Sequence, residues 1–388
     1  QRPPIAAAAG RPDAVITADT LAQALLDAVR AQHFEQTPDS LQHGGPVAER
    51  PSLDLAVACF PPGRPPVAAN VLFSRELPEG FIARPAGGFG AIENVGFHAD
   101  LRDAAGTSIG WQPGARWEAL AFPAWFGRGP RFVAPYPASL LKVMVAVGIG
   151  RLVDQDRSAW ALPWAWGGQT RAIADWLWDM ITVSSNDATS ALVAHLHARG
   201  AIRRVGGVEV HNELHELFRA EGLPGLQIAN TQPDGGWGNG SGSGVGQIQM
   251  TAWDALRLMW RLDADAPPAP WLPAGAPPLL SDASRAVLRR ALDGQQLGEI
   301  LSSTALSPTL PGWVAGIPGA GVRYAHKTGT TENYASDAGI VQAEGGLHYL
   351  IAVTTNLGSR YRPHDDCATT WKLPALGGAV HAWLAAHA

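Results

Sequence analysis

The 388-residue sequence has few cysteines, no long apolar runs and little net charge, and each shortage excludes a class of protein. Two cysteines cannot supply a disulfide-rich scaffold or a four-cysteine zinc site. No run of about 18 apolar residues is present, so no segment is predicted to span a membrane. A net charge of -5 over this length gives no strong field, which argues against nucleic acid or an anionic membrane surface as a partner.

What the chain does contain is typical of a globular protein, with 46% hydrophobic and 16% charged residues. Strand-like composition is found near the two ends, over 53–60, 67–73, 117–122, 324–330, 336–344 and 347–356. Helical periodicity dominates the middle and the last segment, over 139–147, 170–183, 187–197, 212–221, 251–262 and 376–386. We therefore predict an α/β (α+β) fold in which an all-α lobe interrupts a sheet. The predicted division is an N-terminal extension (1–50), a sheet lobe (51–138 plus 316–388) and an all-α lobe (139–315).

The first of three short motifs is Ser139-Leu140-Leu141-Lys142, at the predicted start of a helix. At positions i and i+3 the hydroxyl and the amine face the same way, so the amine can act as the base for the hydroxyl. That requires a lowered lysine pKa, through burial or a neighbouring cation such as Lys327. Taken alone, the motif is also compatible with an ordinary amphipathic turn.

The second and third motifs are Ser184-Ser185-Asn186, after an apolar helix, and Lys327-Thr328-Gly329-Thr330, on a predicted edge strand. The serine-asparagine turn offers a hydroxyl and a carboxamide, although residues of these types also cap helices. The lysine and threonine of the third motif can hold a substrate carboxylate by charge-assisted hydrogen bonds. Gly329 would let an extended substrate lie against the strand. The structural alternative is a strand that turns at glycine, with its lysine in solvent.

In this order the motifs resemble the S-x-x-K, S-x-N and K-T-G signature of the serine β-lactamase and penicillin-binding protein superfamily. The resemblance covers about residues 51–388 and implies a β-lactamase/transpeptidase-like fold, an antiparallel sheet flanked by helices with the all-α lobe inserted. It implies an acyl-enzyme on Ser139, with Lys142 as general base and Ser184 as proton relay. The residues it assigns to substrate binding are Asn186, Lys327, Thr328, Gly329 and Thr330, the backbone N–H groups of Thr330 and Ser139 forming the oxyanion hole.

The same resemblance implies no organic cofactor and no metal, and a small-molecule or peptide-like acyl substrate. It also implies a periplasmic or secreted location. The superfamily fold would bring Cys59 close to Cys367, so a disulfide between them and a pair of buried thiols both remain open. His211 and His215 lie four apart on a predicted helix, but the zinc-protease spacing and a third ligand are missing. We interpret them as surface histidines, and the glycine-rich run 235–246 as a loop.

One departure from the superfamily concerns the second half of the reaction. Class A β-lactamases carry a Glu-x-x-Leu-Asn element that activates the deacylating water, and the best placement here puts Gln232-Pro233-Asp234, running on to Asn239, at that point. A neutral amide cannot take a proton from water. Unless Asp234 or Glu221 substitutes, the acyl-enzyme should hydrolyse slowly. We therefore predict a serine hydrolase of an amide or ester, carboxypeptidase-like or esterase-like, rather than an efficient class A β-lactamase. The alternative is a penicillin-binding or sensor-like module that is acylated without turnover.

Overall fold

The computed structural model describes residues 15–361 and 368–388 of the chain. The α-helices in the described residues are α1 Ala18–Arg30, α2 Lys142–Asp154, α3 Ile173–Thr182, α4 Asn186–Ala198, α5 Glu213–Ala220, α6 Ala252–Leu262, α7 Asp282–Asp293 and α8 Leu373–His387. The strands are β1 Leu53–Cys59, β2 Val67–Ser74, β3 Leu77–Ala83, β4 Gly96–His98, β5 Ala124–Gly127, β6 Arg131–Val133, β7 Pro163–Trp166, β8 Gln169–Ala172, β9 Ile202–Val205, β10 Val208–Asn212, β11 Leu226–Ile228, β12 Ile248–Met250, β13 Val322–Thr330, β14 Ala335–Ala343 and β15 His348–Thr355.

The main sheet has six antiparallel strands in the order β13-β14-β15-β1-β2-β3. Every residue of β1 is buried because both faces of the sheet are covered. The helices α1 and α8 pack against one face, and α6 packs against the other. The strand β13, which carries the Lys327 motif, lies at the edge of this sheet, as the sequence predicts.

The segment between β3 and β13 contains the helices α2 to α7 and the short strands β4 to β12. Its helices are organised around α2, which is buried over most of its circumference. Its apolar residues do not form a single stripe, and such a helix is stable only when other elements surround it. The helix α6 begins as the sequence predicts, with the Thr251 hydroxyl accepting a hydrogen bond from the Asp254 N–H at 3.2 Å. None of the helices in the described part of the chain has the length and hydropathy needed to cross a membrane.

Two local predictions are wrong. The segment 117–122 is a short 3₁₀ turn followed by irregular chain, because the Trp117 indole is buried and donates to the Gly110 carbonyl at 2.6 Å. His211 and His215 do not share a helix, since His211 lies on β10 and the Asn212 side chain caps the start of α5. No group of three metal-binding side chains is found among the described residues.

Of the two alternatives for the cysteines, no disulfide is found among the described residues. Cys59 is a buried, free thiol on β1, as the alternative of buried thiols expects. Cys367 lies outside the described residues.

Candidate active site

Ser139 lies on a 3₁₀ turn, Ala138–Leu141, that leads directly into α2. Ala138 is buried and has a φ of 51°, in the left-handed region that residues with a Cβ seldom adopt. Such strain persists only where the surroundings hold it in place, and it is frequent at functional sites. The serine itself is half-buried, and its hydroxyl makes no hydrogen bond within the described residues.

The turn that carries Ser139 packs closely on the edge strand at Gly329. A Cβ at this position would lie 2.6 Å from the Pro137 carbonyl oxygen, 2.7 Å from the Leu140 nitrogen and 2.5 Å from the Ser336 hydroxyl. The Ser336 hydroxyl also donates to the Pro137 carbonyl at 2.5 Å. A side chain at residue 329 would therefore collide with the Ser139 turn, and the glycine lets the turn and the strand touch.

The Ser184 hydroxyl lies between two lysines. Lys142 Nζ donates to the Ser184 Oγ at 3.0 Å, to the Ser184 carbonyl at 2.6 Å and to Asn186 Oδ1 at 2.8 Å. Lys327 Nζ donates to the same Oγ at 3.0 Å and to the Thr328 carbonyl at 2.6 Å. Residues from the start of α2, from the turn before α4 and from β13 thus meet at one oxygen atom.

Burial sets the charge state of this cluster. Both lysines have no exposed surface. Burial, and next the charge of Lys327, lower the pKa of Lys142 from 10.5 to about 6. Burial also lowers the pKa of Lys327 to about 7, while the carboxylates of Asp337 and Glu299 act in the opposite direction. The three hydrogen bonds belong to the protonated amine. Near neutral pH the lowered pKa favours the neutral amine, which keeps two N–H donors and a lone pair that can accept from the Ser184 hydroxyl or take up a proton.

The Ser184-Ser185-Asn186 turn caps a helix and also contributes two residues to the lysine cluster. Ser185 is the N-cap of α4, and its hydroxyl accepts from the Ala188 N–H at 3.1 Å. Ser184 has a left-handed backbone with a φ of 57°, and its side chain reaches the lysines. The middle residue caps the helix, while its two neighbours face the cluster.

Of the remaining predicted residues, Thr328 and Thr330 lie on β13 and Asn186 is the first residue of α4. Thr328 is buried beside Lys327, and the Thr330 hydroxyl donates to Glu299 Oε1 at 3.3 Å. Asn186 is exposed apart from its contact with Lys142. The structure thus brings the three motifs together, although no hydrogen bond joins Ser139 to Lys142 in the part of the chain it describes.

In the described part of the chain, neither of the two acids considered as substitutes for the missing glutamate contacts Lys142. Glu221 forms an ion pair with Arg261 at 2.6 Å, and the exposed Asp234 accepts from the Gly236 N–H at 3.0 Å. Gln232 donates to the Ser241 carbonyl at 2.7 Å. Burial and Lys327 are the causes of the shifted Lys142 pKa, and no described carboxylate contributes to it.

A tryptophan that belongs to none of the three motifs lies beside Lys142. The ring centre of Trp237, in the glycine-rich run, is 5.6 Å from Lys142 Nζ. The only signal in the sequence is that a large aromatic residue interrupts a run of glycines.

Residues 167–370, more than half of the chain, match the family described as the Beta-lactamase enzyme family. The chain belongs to this family. The match contains the second and third motifs and begins after Lys142. It confirms the predicted resemblance to the serine β-lactamase and penicillin-binding protein superfamily.

Solved structures show the fold of this β-lactamase family member. PBP-A is similar with a TM-score of 0.51 at 17% identity, over 96% of this chain and 98% of that one. An ancestral class A β-lactamase (GNCA) has a TM-score of 0.51 at 14% identity, over 94% and 99%. A PBP-A mutant in an acyl-enzyme complex with penicillin G has a TM-score of 0.51 at 17% identity, over 95% and 98%. No curated protein matches the chain in sequence.

Proposed function

We propose that this β-lactamase family protein is a serine acyl-transfer enzyme that forms an acyl-enzyme on Ser139 and hydrolyses an amide or ester. The observation that supports this most strongly is the Ser184 hydroxyl, held between Lys142 and Lys327 where the Ser139 turn meets the edge strand. A hydroxyl between two buried amines of lowered pKa is poised to transfer protons.

In the first half of the reaction, Ser139 Oγ attacks the substrate carbonyl carbon, and its proton passes to neutral Lys142. The bond from that carbon to the leaving nitrogen or oxygen then breaks, and the leaving group takes up the proton. Among the three oxygens that contact Lys142, the Ser184 hydroxyl alone can also donate a proton. Ser184 is therefore the relay from Lys142 to the leaving group.

The substrate would lie along β13. A carboxylate on it would approach Lys327 and Thr328, and the exposed carboxamide of Asn186 would bind an amide side chain. Backbone N–H groups of Ser139 and Thr330 would receive the oxyanion. We place the enzyme in the periplasm or outside the cell, on the resemblance to its superfamily.

One observation favours a second function, a penicillin-binding or sensor-like module that is acylated without turnover. Lys142 has an indole ring rather than a carboxylate at its side. Deacylation therefore lacks the glutamate carboxylate that activates water in class A β-lactamases.

Intact-protein mass spectrometry after incubation with penicillin G tests the proposal. We expect one adduct on the parent protein and none on Ser139→Ala. A lasting adduct supports the sensor-like function, and its loss with release of product supports a hydrolase. An equal adduct on Ser139→Ala, or no adduct from penicillin G and from activated esters alike, would overturn the proposal.

The motif offers a matched pair of variants. Ser184→Ala removes the relay and should slow acylation by about 100-fold, in the range of general acid–base catalysis. Ser185→Ala removes a helix cap and should reduce stability by about 1 kcal/mol while acylation stays within about threefold. Equal rates for the two variants would contradict the role given to Ser184.

A further inference from the structure

The indole ring of Trp237 lies next to the buried Lys142 amine. Three oxygens of Ser184 and Asn186 accept from the amine, and the centre of the indole ring is 5.6 Å from Lys142 Nζ. We infer that Trp237 is a positioning residue that keeps water away from Lys142 and so makes the acyl-enzyme on Ser139 long-lived. This inference rests on the proposed acyl transfer and concerns its second half.

The loop that carries Trp237 is fixed close to α4. Gly235 has a φ of 95°, and a Cβ there would collide with the Ser190 carbonyl of α4, so a glycine is needed for this approach. The Trp166 indole donates to the Asp234 carbonyl at 3.2 Å on the same side. These contacts hold the chain two residues before Trp237 against a helix whose first residue is Asn186.

Further ties hold the other end of the loop. The Gln232 side chain bridges the loop by donating to the Ser241 carbonyl at 2.7 Å. Arg102, from the segment between β4 and β5, donates to the Gly242 carbonyl at 2.8 Å. Trp237 lies between these two sets of contacts, so the ring is held over the amine by both ends of its loop.

The access of substrate and of water differs in this arrangement. Ser139 is half-buried, whereas Lys142 has no exposed surface, so a carbonyl can reach the nucleophile while bulk water does not contact the base. Hydrolysis requires a water oxygen to attack the acyl carbon while Lys142 takes one of its protons. The bond from the acyl carbon to Ser139 Oγ then breaks, and Lys142 returns the proton to that oxygen. An indole ring centred 5.6 Å from Lys142 Nζ occupies volume that solvent would otherwise fill, so its removal should admit water to the amine.

The test compares three variants with the parent protein. Trp237→Ala opens the site, Trp237→Phe keeps an aromatic cover, and Trp383→Ala removes a tryptophan from α8, where its ring stacks on His387. Each protein is acylated with penicillin G, freed of excess reagent and followed by intact-protein mass spectrometry. We expect adduct loss at least 10-fold faster for Trp237→Ala, within about threefold of the parent for Trp237→Phe, and unchanged for Trp383→Ala.

A second readout needs no turnover. The sequence contains three lysines, Lys142, Lys327 and Lys372, so lysine labelled with ¹³C gives three sets of side-chain signals. We expect Trp237→Ala to move the Lys142 signals, through the loss of the ring current, and to leave the Lys372 signals in place, which also shows that the variant is folded. If Trp237→Ala does not fold, Trp237→Leu takes its place.

The outcomes separate this inference from the proposal beneath it. An adduct on the parent whose lifetime is the same in Trp237→Ala overturns the inference and leaves the acyl-transfer proposal intact. Lys142 signals that do not respond to the substitution overturn it as well. Absence of any adduct from penicillin G and from activated esters overturns the acyl-transfer proposal and this inference together.

Discussion

The replacement of Lys327 by methionine should raise the pKa of Lys142 while leaving it well below the ordinary lysine value. Both amines donate to the Ser184 hydroxyl at 3.0 Å, so their nitrogens are at most about 6 Å apart. Two unit charges at about 6 Å interact by about 3 kcal/mol at an effective dielectric constant of about 20. Because one pKa unit corresponds to about 1.4 kcal/mol, the loss of the Lys327 charge should raise the Lys142 pKa by about two units.

The rest of the shift comes from burial and should survive the substitution. Lys142 has no exposed surface, and burial is the largest cause of its change from 10.5 to about 6. We therefore expect the Lys142 pKa in Lys327→Met to lie about two units above the parent value and still below 10.5. The lower-pH limb of the acylation rate should move upward by the same amount, since protonated Lys142 cannot accept the Ser139 proton.

The measurement is a pH titration of the three lysine side chains by NMR with ¹³C-labelled lysine. Lys372→Arg identifies one set of signals, and Lys327→Met removes another. Because the two site lysines interact, the parent values belong to the pair, whereas the variant reports on Lys142 alone. An ordinary lysine pKa for Lys142 in the parent would refute the burial that the structure shows. An unchanged value in Lys327→Met would refute the coupling between the two amines.

Two further predictions follow from the same contacts. Gly329→Ala should lower the acylation rate at least 100-fold and lower the free energy of unfolding by about 1–3 kcal/mol, because the added Cβ would collide with Pro137, Leu140 and Ser336. Mass spectrometry measures the acylation rate and urea unfolding measures the stability. A variant with parental values for both would contradict the packing. Lys142→Met should abolish acylation but stabilise the fold at pH 7. A lysine whose pKa in the folded protein is about 6 must lose its proton on folding, which costs on the order of 4 kcal/mol. The variant avoids this cost but loses the hydrogen bonds of the amine, so its net gain in stability should be about 2–3 kcal/mol. Between about pH 6 and 10.5 the unfolded parent binds one proton more than the folded parent, so the stability of the parent rises with pH and the advantage of the methionine variant should shrink. Thermal unfolding at several pH values measures this difference. An advantage of the variant that grows with pH would contradict the prediction.

The sequence was sufficient to predict five of the six strands of the main sheet, all but β3, and to find the three motifs that the structure brings together, since these rest on local patterns. The strand composition of 324–330 and 347–356 corresponds to β13 and β15 within a few residues. The three motifs could be found because their chemistry depends on short spacings. Thr251 and Asp254 likewise mark the start of α6 through a contact three residues apart.

The predictions that failed or were missing depend on contacts between distant segments. The segment 117–122 has a strand-like composition, but the Trp117 indole finds its partner at Gly110 and holds the chain in a turn. The place of Trp237 depends on how closely Gly235 approaches α4. The close packing of Gly329 depends on a turn nearly 200 residues earlier in the chain, and no short window of sequence contains both.

The pairing of β1 with β15 has a consequence for the synthesis of the protein. Leu53 lies opposite Thr355 and Cys59 opposite Tyr349, so neighbours in the sheet are about 300 residues apart in the chain. The strand β15 also joins β1 to β14, and through it to the strand that carries Lys327. A chain still on the ribosome, with β15 not yet emerged, cannot bring the N-terminal strands and the Lys327 strand into one sheet. Reactivity at Ser139 should therefore arise only after β15 has emerged, and a chain that stops before β15 should not be trapped by an acylating substrate.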